Sequence, residues 1–409
     1  MAGISEIIFY FVVALGLFIA FFFLLTYIEV FRRKKTKQEL TDFKEITFLI
    51  PALNVEKYIG KCLTSILKQD YPQNKIKIWV VDNGSTDKTL EIIKSFMKKH
   101  KNIEILHRKH IHELSKLKTE SLNFGIKKVR TELTACLDAD TYPQPDALKK
   151  AILELENPKT MLVTFRLVPT KSNFLSVVQD IEYAFCVFFR KLLASIEILA
   201  FSNAFTVYKT KFFRKYGDFE VGNITEDFEI ALRAQSNHHN VACVTETYAE
   251  TVVPETLKAL QRQRIRWNYG LIYNLYKYKR LFSMKYGDLG LFSLASQVLM
   301  VLATMIVLIF ALSDVTTSVI NTIRQISLGL YPELNMSVFN ITLFLSQPKI
   351  ILYIISIIFS LFFFSLVRKY TKKKLNFAAY LFYTFIYVWF TVYLWVITIP
   401  WFFTRKPEW

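Results

Sequence analysis

The chain has 409 residues, of which 52% are hydrophobic and 16% aromatic, and its mean hydropathy is +0.26. These values are too apolar for a soluble protein of this size, so part of the chain is expected to lie in a bilayer. The formal net charge is +18. Because much of this charge lies in clusters next to apolar segments, it favours anionic membrane lipids and a diphosphate substrate as partners, and no nucleic acid.

Four apolar segments approach or exceed the length that a membrane-spanning helix needs. They are residues 7–30, 289–312, 350–367 and 377–403. The first segment has no basic stretch before it and no small-residue cleavage pattern after it, so we expect it to remain as an anchor. Basic clusters follow the first and third segments, at 32–37 and 368–374. By the positive-inside rule, the long polar middle region then faces the cytoplasm of an integral membrane protein.

The middle region begins with short apolar runs that alternate with segments of helical spacing. Strands are predicted at 46–50, 76–81, 103–106 and 133–138, and helices between them at 56–69, 89–99 and 113–129. This alternation predicts a mostly parallel α/β sheet with helices on both faces, about the size of one nucleotide-binding half.

Acidic residues follow two of these predicted strands. Asp82 opens the turn Asp-Asn-Gly-Ser, and Asp138 and Asp140 come directly after an apolar run. Because the carboxyl ends of parallel strands meet at one edge, where ligands of open α/β sheets bind, we expect these carboxylates to lie close together. Oxygen ligands flanked by small side chains suit a divalent cation that also holds phosphates. A helix-capping role for Asp82 and solvated turn acids at the other strand remain open alternatives.

Lys118 lies on the predicted helix that precedes the strand ending at Asp138. It either reaches a phosphate or is an ordinary surface lysine. Further along the chain, strands are predicted at 161–168 and 204–208, and a long, mostly apolar helix at 174–200.

The segment Thr225-Glu226-Asp227 opens another predicted helix. A threonine cap and acids in the first turn explain much of this pattern structurally. The same crowding of acids beside apolar residues also raises the pKa of a carboxylate toward that of a usable base.

The last polar motif is Gln263-Arg264-Ile265-Arg266-Trp267. It predicts a basic, aromatic helix at the membrane surface. A generic juxtamembrane helix is one interpretation. In the other, planar guanidinium groups bind a diphosphate bidentately and the indole stacks on a sugar ring.

Taken in order, these motifs resemble those of the membrane-bound, processive family 2 glycosyltransferases. That group contains the cellulose, chitin, hyaluronan and poly-N-acetylglucosamine synthases. The resemblance runs from about Glu45 to Trp267, and the Gln-Arg-x-Arg-Trp signature is its most specific part. It implies a GT-A fold inserted between transmembrane and interfacial helices, and an inverting transfer from a nucleotide-diphosphate sugar, expected to be a UDP-sugar. One departure is Asn83, which stands where members usually have a second aspartate.

The resemblance also implies a role for each matching residue. Asp227 is then the base that deprotonates the acceptor hydroxyl, supported by Glu226, and Asp140 ligates Mg²⁺ or Mn²⁺. Trp267 and Thr225 contact the acceptor. The residues that hold the nucleotide-sugar are Asp82, Lys118, Asp138, Gln263, Arg264 and Arg266.

The predicted organisation has five parts. They are an anchor (1–31), a cytoplasmic GT-A domain (32–254), interfacial helices (255–288), a membrane region of about three spans (289–403) and a short tail (404–409). The leading hypothesis is a processive synthase that extends a β-linked polysaccharide and passes it across the membrane. Transfer of one sugar to a membrane lipid, as by the related ceramide glucosyltransferases, and a non-catalytic scaffold are the alternatives. About four spans are few for a conduit that carries a polar polymer across the membrane, so pairing of chains into a homo-oligomer remains possible as an alternative.

Overall fold

The structure is a computed structural model that describes residues 2–32, 39–108, 114–329, 348–372, 374 and 376–404. The basic residues at 33–37 and the tail at 405–409 lie outside this description. The chain divides into two compact units. The smaller unit holds residues 1–32 with 294–374, and the larger holds residues 33–293 with 375–409.

The eight strands in the described part of the chain belong to the larger unit. They are β1 (Ile46–Ala52), β2 (Ile76–Asp82), β3 (Ile103–His107), β4 (Leu133–Leu137), β5 (Thr141–Pro143), β6 (Thr160–Pro169), β7 (Phe205–Lys209) and β8 (Asn240–Thr251). They form one sheet in the order β3-β2-β1-β4-β7-β6-β8-β5. The first four strands pair in parallel, which confirms the predicted parallel sheet. The other half is mixed, because β7 is antiparallel to β4 and β6, and β5 is antiparallel to β8.

The helices connect these strands and extend toward both termini. They are α1 (Ala2–Arg32), α2 (Ile59–Leu67), α3 (Thr89–Met97), α4 (Leu114–Ile126), α5 (Ala147–Leu155), α6 (Phe174–Ser195), α7 (Lys211–Tyr216), α8 (Glu226–Ser236), α9 (Leu257–Lys277), α10 (Ala295–Ser327), α11 (Pro348–Thr371), α12 (Phe377–Phe382) and α13 (Val388–Thr404). Short 3₁₀ helices occur at Gln73–Lys75, Lys279–Leu281 and Met284–Tyr286, and π-helical turns at Leu289–Leu294 and Tyr383–Tyr387.

The core explains why the central strands read as continuous apolar runs. Along β1, Phe48 and Ile50 belong to a buried cluster that includes side chains of α2 and α5. Leu49, between them, belongs to a second cluster with Leu122 and Ile126 of α4. Successive side chains of a strand face opposite sides of the sheet, so both faces of β1 are covered. Its positions are therefore apolar except for the buried Thr47, whose hydroxyl is hydrogen-bonded to that of Thr131 at 2.8 Å.

The sequence analysis missed the strand β8 entirely. Its buried positions include Thr245 and Thr247, at 8% and 3% exposure, so an apolar alternation does not mark it. The helix predicted at 174–200 ends earlier, at Ser195, and Glu197 beyond it has a positive φ of 63°. That conformation does not continue an α-helix.

Among the residues that the structure describes, three helices are long and apolar enough to cross a membrane: Ile7–Val30, Ile354–Thr371 and Phe377–Thr404. The predicted spans at these places are confirmed in length and composition. Within the described residues, the predicted span at 289–312 shows a shorter apolar stretch, Leu289–Ala303, and it stays a prediction. Of the three long helices, the C-terminal span Phe377–Thr404 belongs to the larger unit, where it packs against α6 and α9.

The packing of α4 on β1 can be tested at Gly125. A Cβ added there lies 2.7 Å from Cδ2 of the buried Leu49, so Gly125→Ala should lower the free energy of unfolding by about 1–3 kcal/mol through overpacking. The matched control is Gly60→Ala on α2, where the nearest atom to the new Cβ is 3.7 Å away. This control should keep or gain stability, because alanine favours helices. Thermal unfolding in detergent compares the two, and an equal loss in both would contradict the packing argument.

Candidate active site

The strand register brings the predicted acids to one edge of the sheet. Ala52 at the end of β1 pairs with Asp82 at the end of β2. On the other side of β1, Leu49 pairs with Cys136 of β4, and Asp138 follows β4 directly. Asp82 and Asp138 therefore leave the sheet from its carboxyl edge, on either side of β1.

Lys118 is the cation at the centre of this edge. Its Nζ lies 2.7 Å from Oδ1 of Asp138 and 2.9 Å from Oε1 of Glu226. Burial alone lowers the pKa of Lys118, but the charges of Asp138, Glu226 and Asp227 outweigh it and hold the pKa well above its usual value. The lysine therefore stays protonated and joins α4, the end of β4 and the start of α8. Lys118 is thus ion-paired with two acids, and its contact with a phosphate stays a prediction.

The two adjacent acids of α8 have opposite pKa shifts. Burial raises the pKa of Glu226, but Lys118 and then Arg266 outweigh it, and the pKa lies below its usual value. For Asp227, burial and the negative charge of Glu226 raise the pKa from 3.8 to about 6. One carboxylate is thus held ionised and its neighbour is made more basic, which is how paired acids divide acid and base roles.

Asp140 lies two residues beyond Asp138. Burial, followed by the charge of Asp138, raises its pKa from 3.8 to about 6, although Lys118 opposes this shift. Within the described residues, no group of three or more His, Cys, Asp or Glu side chains is arranged to hold a metal unaided. Mg²⁺ commonly binds through one or two carboxylates together with substrate phosphates. The buried carboxylate of Asp140, next to the charge of Asp138, fits a cation of that kind.

Asp82 and Asn83 shape the turn after β2. The carboxylate of Asp82 accepts hydrogen bonds from the amides of Gly84 and Ser85, at 3.1 and 3.2 Å. It does not cap α3, because Asp87 accepts the hydrogen bond from the amide of Thr89. Asn83 is buried and accepts a hydrogen bond from the hydroxyl of Ser121 at 2.8 Å. The asparagine that departs from the family pattern therefore ties this turn to α4.

Thr225 does not cap α8, contrary to the structural reading of the sequence. Its hydroxyl accepts a hydrogen bond from the side-chain amide of Asn274 on α9, at 2.9 Å. Gly270, also on α9, lies so close that a Cβ there would be 2.1 Å from the Thr225 hydroxyl oxygen. The observed contacts of Thr225 hold α8 against α9, and its contact with an acceptor stays a prediction.

The Gln-Arg-x-Arg-Trp motif lies on α9 and its side chains divide into two groups. Arg266 acts electrostatically on Glu226 and Asp227 and forms no hydrogen bond or ion pair with the part of the chain that the structure describes. Arg264 is 5% exposed and donates hydrogen bonds to Gln263 and to Glu182 of α6, at 2.6 and 2.7 Å. Its guanidinium also lies 4.0 Å from the ring of Trp267. Contacts of Gln263, Arg264 and Arg266 with a diphosphate stay predictions.

The sequence analysis assigned no role to Glu182, Asn274 or Tyr387, all of which contact this motif or α8. The sequence does contain a feature that could have revealed Glu182, because this acid interrupts the apolar face of a long predicted helix. Asn274 is fully buried, and its position seven residues after Trp267 gives no indication of its partner. Tyr387 lies in an aromatic membrane span, where one more tyrosine does not stand out.

The opposite pKa shifts predict opposite effects on stability. At pH 7 Asp227 is ionised in both the folded and the unfolded state, and its raised folded pKa means that folding disfavours the charge. Asp227→Asn should therefore stabilise the protein, by about 3 kcal/mol. The gain should shrink as the pH falls below about 6 and vanish below the unfolded value of 3.8.

Glu226→Gln is the matched control for this prediction. Its folded pKa is lowered by Lys118, so the carboxylate contributes stability above its unfolded pKa, and the glutamine variant should be less stable at pH 7. Thermal unfolding of both variants at pH 7.5 and 4 measures the difference. A loss of stability in Asp227→Asn at pH 7.5 would refute the assignment.

Solved structures support the fold. A mannosyltransferase from Pyrobaculum calidifontis, solved in complex with GDP-Man and Mn²⁺, aligns with a TM-score of 0.59 over 90% of this chain and 99% of that chain. The sequence identity is 17%, so this likeness concerns the GT-A-like architecture only.

Curated relatives are similar over part of the chain. The poly-beta-1,6-N-acetyl-D-glucosamine synthase of Staphylococcus epidermidis is 32% identical over 240 residues, which are 57% of this chain and 56% of the relative. The synthase of the same name from Staphylococcus aureus is 29% identical over 242 residues, 58% of this chain and 57% of that protein. This chain thus spans little more than half the length of the curated relatives that it matches.

Two family models match the chain. The model for glycosyl transferase family 2 matches residues 47–217, which include Asp82, Lys118 and Asp138. The model for glycosyl transferase family group 2 matches residues 133–404, which include α8, the motif on α9 and the C-terminal span. The second match covers well over half of the sequence, and the chain therefore belongs to glycosyl transferase family group 2.

Proposed function

We propose that this protein is an inverting glycosyltransferase that extends a β-linked polysaccharide from a nucleotide-diphosphate sugar, with N-acetylglucosamine as the first candidate sugar. The observation that carries the proposal is the arrangement around Lys118, in which an ionised Glu226 and a more basic Asp227 lie beside the strand-end acids. The identity with the two poly-N-acetylglucosamine synthases supports the choice of sugar and polymer.

The donor is assigned to the edge of the sheet. Asp82 and Asp138 hold the nucleoside, and Lys118 orients the carboxylate of Asp138 through its 2.7 Å ion pair. Arg266, whose guanidinium has no partner among the described residues, is the strongest candidate for the diphosphate, with Gln263 and Arg264 from the same motif. Asp140 would hold Mg²⁺ or Mn²⁺, which supplies positive charge against the phosphates when bound.

Asp227 is the proposed base. It takes the proton from the acceptor hydroxyl while the hydroxyl oxygen forms a bond to the anomeric carbon of the donor sugar. The bond from that carbon to the diphosphate breaks at the same time, and the nucleoside diphosphate leaves with the electron pair. Arg266 stabilises the charge that develops on the leaving group. One base and one displacement invert the anomeric configuration.

A second acceptor class is favoured by the surroundings of α9. Tyr269, two residues after Trp267, has its ring centroid 5.1 Å from that of Phe402 on the C-terminal span. An acceptor stacked on Trp267 is therefore bound beside a helix that is apolar enough to lie in a membrane. This proximity suits a lipid-linked acceptor that receives a single sugar.

The predicted organisation in the membrane forms part of the proposal. Residues 1–31 anchor the chain, 32–254 form the cytoplasmic catalytic domain, 255–288 lie at the interface and 289–403 complete the membrane region. We also propose that the polymer passes through this membrane region.

Turnover of a panel of UDP-sugars by the full chain in lipid, with Mg²⁺ or Mn²⁺, tests the function. Wild-type protein should incorporate N-acetylglucosamine into a high-molecular-weight product. Asp227→Asn should lower the rate by about 10²–10⁴, the range for loss of a general base. Asp70→Asn, which breaks an exposed ion pair with Lys149, is the control and should retain full activity. A single-sugar glycolipid as product would establish the lipid acceptor instead, and no transfer with any sugar would refute both.

The pH dependence tests the base independently. With Asp227 as base, kcat/KM should fall tenfold per pH unit below about pH 6 as its carboxylate becomes protonated. In Glu226→Gln the repulsion from the neighbouring charge is gone, so the acid limb should move to lower pH. Initial rates between pH 4.5 and 8 in both proteins measure this limb. An unchanged limb in the variant would remove Asp227 as the titrating group.

A further inference from the structure

Glu182 is an acid on the long helix α6 that the catalytic arrangement does not use. Its carboxylate accepts hydrogen bonds from Arg264 on α9 at 2.7 Å and from the hydroxyl of Tyr387 on the C-terminal span at 3.1 Å. Three separate elements of the larger unit thus meet at one carboxylate. We call Glu182, Arg264 and Tyr387 the membrane-side triad.

Arg264 depends on this carboxylate for its charge balance. It is 5% exposed, and Glu182 is the acidic partner that its guanidinium contacts among the described residues. Its Nε–H is buried and has no hydrogen-bond partner in the same part of the chain. Removing one member of a buried pair leaves an uncompensated charge, which forces the other side chain to move or take up water.

The position of Arg264 matters because of its neighbour Trp267. The guanidinium lies 4.0 Å from the indole ring, which is within the range of an attractive cation–π contact. A guanidinium held at Glu182 therefore fixes the indole of the proposed acceptor platform. If the guanidinium moves, the indole loses that support.

A π-helical turn in the C-terminal span lies next to Glu182. Tyr387 ends the π-helical turn Tyr383–Tyr387, and such turns commonly mark functional positions in helices. Ring contacts of Phe185 with Tyr383 at 6.0 Å, and of Phe174 with Phe382 at 5.2 Å, hold α6 against the span. The hydroxyl of Tyr387 is thereby presented to Glu182.

We propose that Glu182 and Tyr387 are positioning residues for the acceptor: through Arg264 they hold Trp267 in place and tie it to the C-terminal membrane span. The inference rests on the proposed glycosyltransferase function. It assigns the triad to acceptor binding and to the fate of the growing product, whereas donor binding belongs to the edge of the sheet around Lys118.

The test compares Glu182→Gln and Tyr387→Phe with two matched controls in the full-length protein. Asp180→Asn breaks an ion pair with Lys171 on the same helix α6. Tyr393→Phe removes another hydroxyl on the C-terminal span, one that accepts a hydrogen bond from Gln261 of α9 at 3.5 Å. Among the described residues, the acid in the ion pair with Arg264 is Glu182 and not Asp180, and the hydroxyl of Tyr393 bonds to Gln261.

The readouts are the KM for donor, the ratio of transferred to hydrolysed donor, and the product length. In Glu182→Gln the ratio of transfer to hydrolysis should fall about ten- to a hundredfold, the effect of misplacing a positioning group. Tyr387→Phe should lower the same ratio and shorten the product, with a smaller effect than Glu182→Gln. Both variants should keep the donor KM of the wild type, and both controls should match the wild type in all three readouts.

Three results are decisive. If Glu182→Gln and Tyr387→Phe behave like their controls, or if they raise the donor KM as much as they reduce transfer, the positioning role is wrong while the transferase function stands. If the wild-type protein transfers no sugar, the proposed function itself fails. Tyr387→Phe removes only one hydroxyl, so it keeps the test valid if Glu182→Gln does not fold.

Discussion

The ion pairs of Lys118 are the constraint on which the rest of the site depends. Besides Asp82, four acids lie near one sheet edge, two after β4 and two at the start of α8, and their mutual repulsion opposes folding. A single ammonium group bridges Asp138 and Glu226 and offsets part of that repulsion. It also makes the site asymmetric. Because the lysine contacts Glu226 and not Asp227, adjacent carboxylates of one helix turn acquire different proton affinities.

The sequence predicted the part of this site that follows from backbone topology. Once Asp82 and Asp138 are placed after strands of a parallel sheet, their common edge is a geometric necessity. The same reasoning predicted β7 but not its antiparallel direction, and it did not reveal β8, whose buried threonines conceal its pattern. Both strands lie in the half of the sheet where connections do not follow the simple strand and helix alternation. Local pattern therefore predicted the nucleotide-binding half better than the acceptor half.

The sequence indicated which polar side chains belong to the candidate site, but it did not indicate which residues they bond to. Thr225 has the residue type and position of a helix cap, and its hydroxyl bonds to Asn274 instead. The reason lies on another helix, where Gly270 allows α9 to approach α8 closely enough for that bond. Arg264 likewise has the residue type of a diphosphate ligand and is found paired with Glu182. Such pairings depend on how distant helices pack, which no local pattern contains.

Helix α9 joins the two halves of the proposed reaction. Arg266, proposed for the diphosphate, and Trp267, proposed for the acceptor, are consecutive residues on it, so any displacement of this helix moves both. Its far end is fixed on α8 through Gly270 and Asn274. Its motif end is fixed on α6 and the C-terminal span through Glu182. Because Arg264, Gly270 and Asn274 are buried at these attachments, donor and acceptor geometry cannot change separately without breaking one of them. A shift of the C-terminal span would therefore reach the catalytic edge through a single helix.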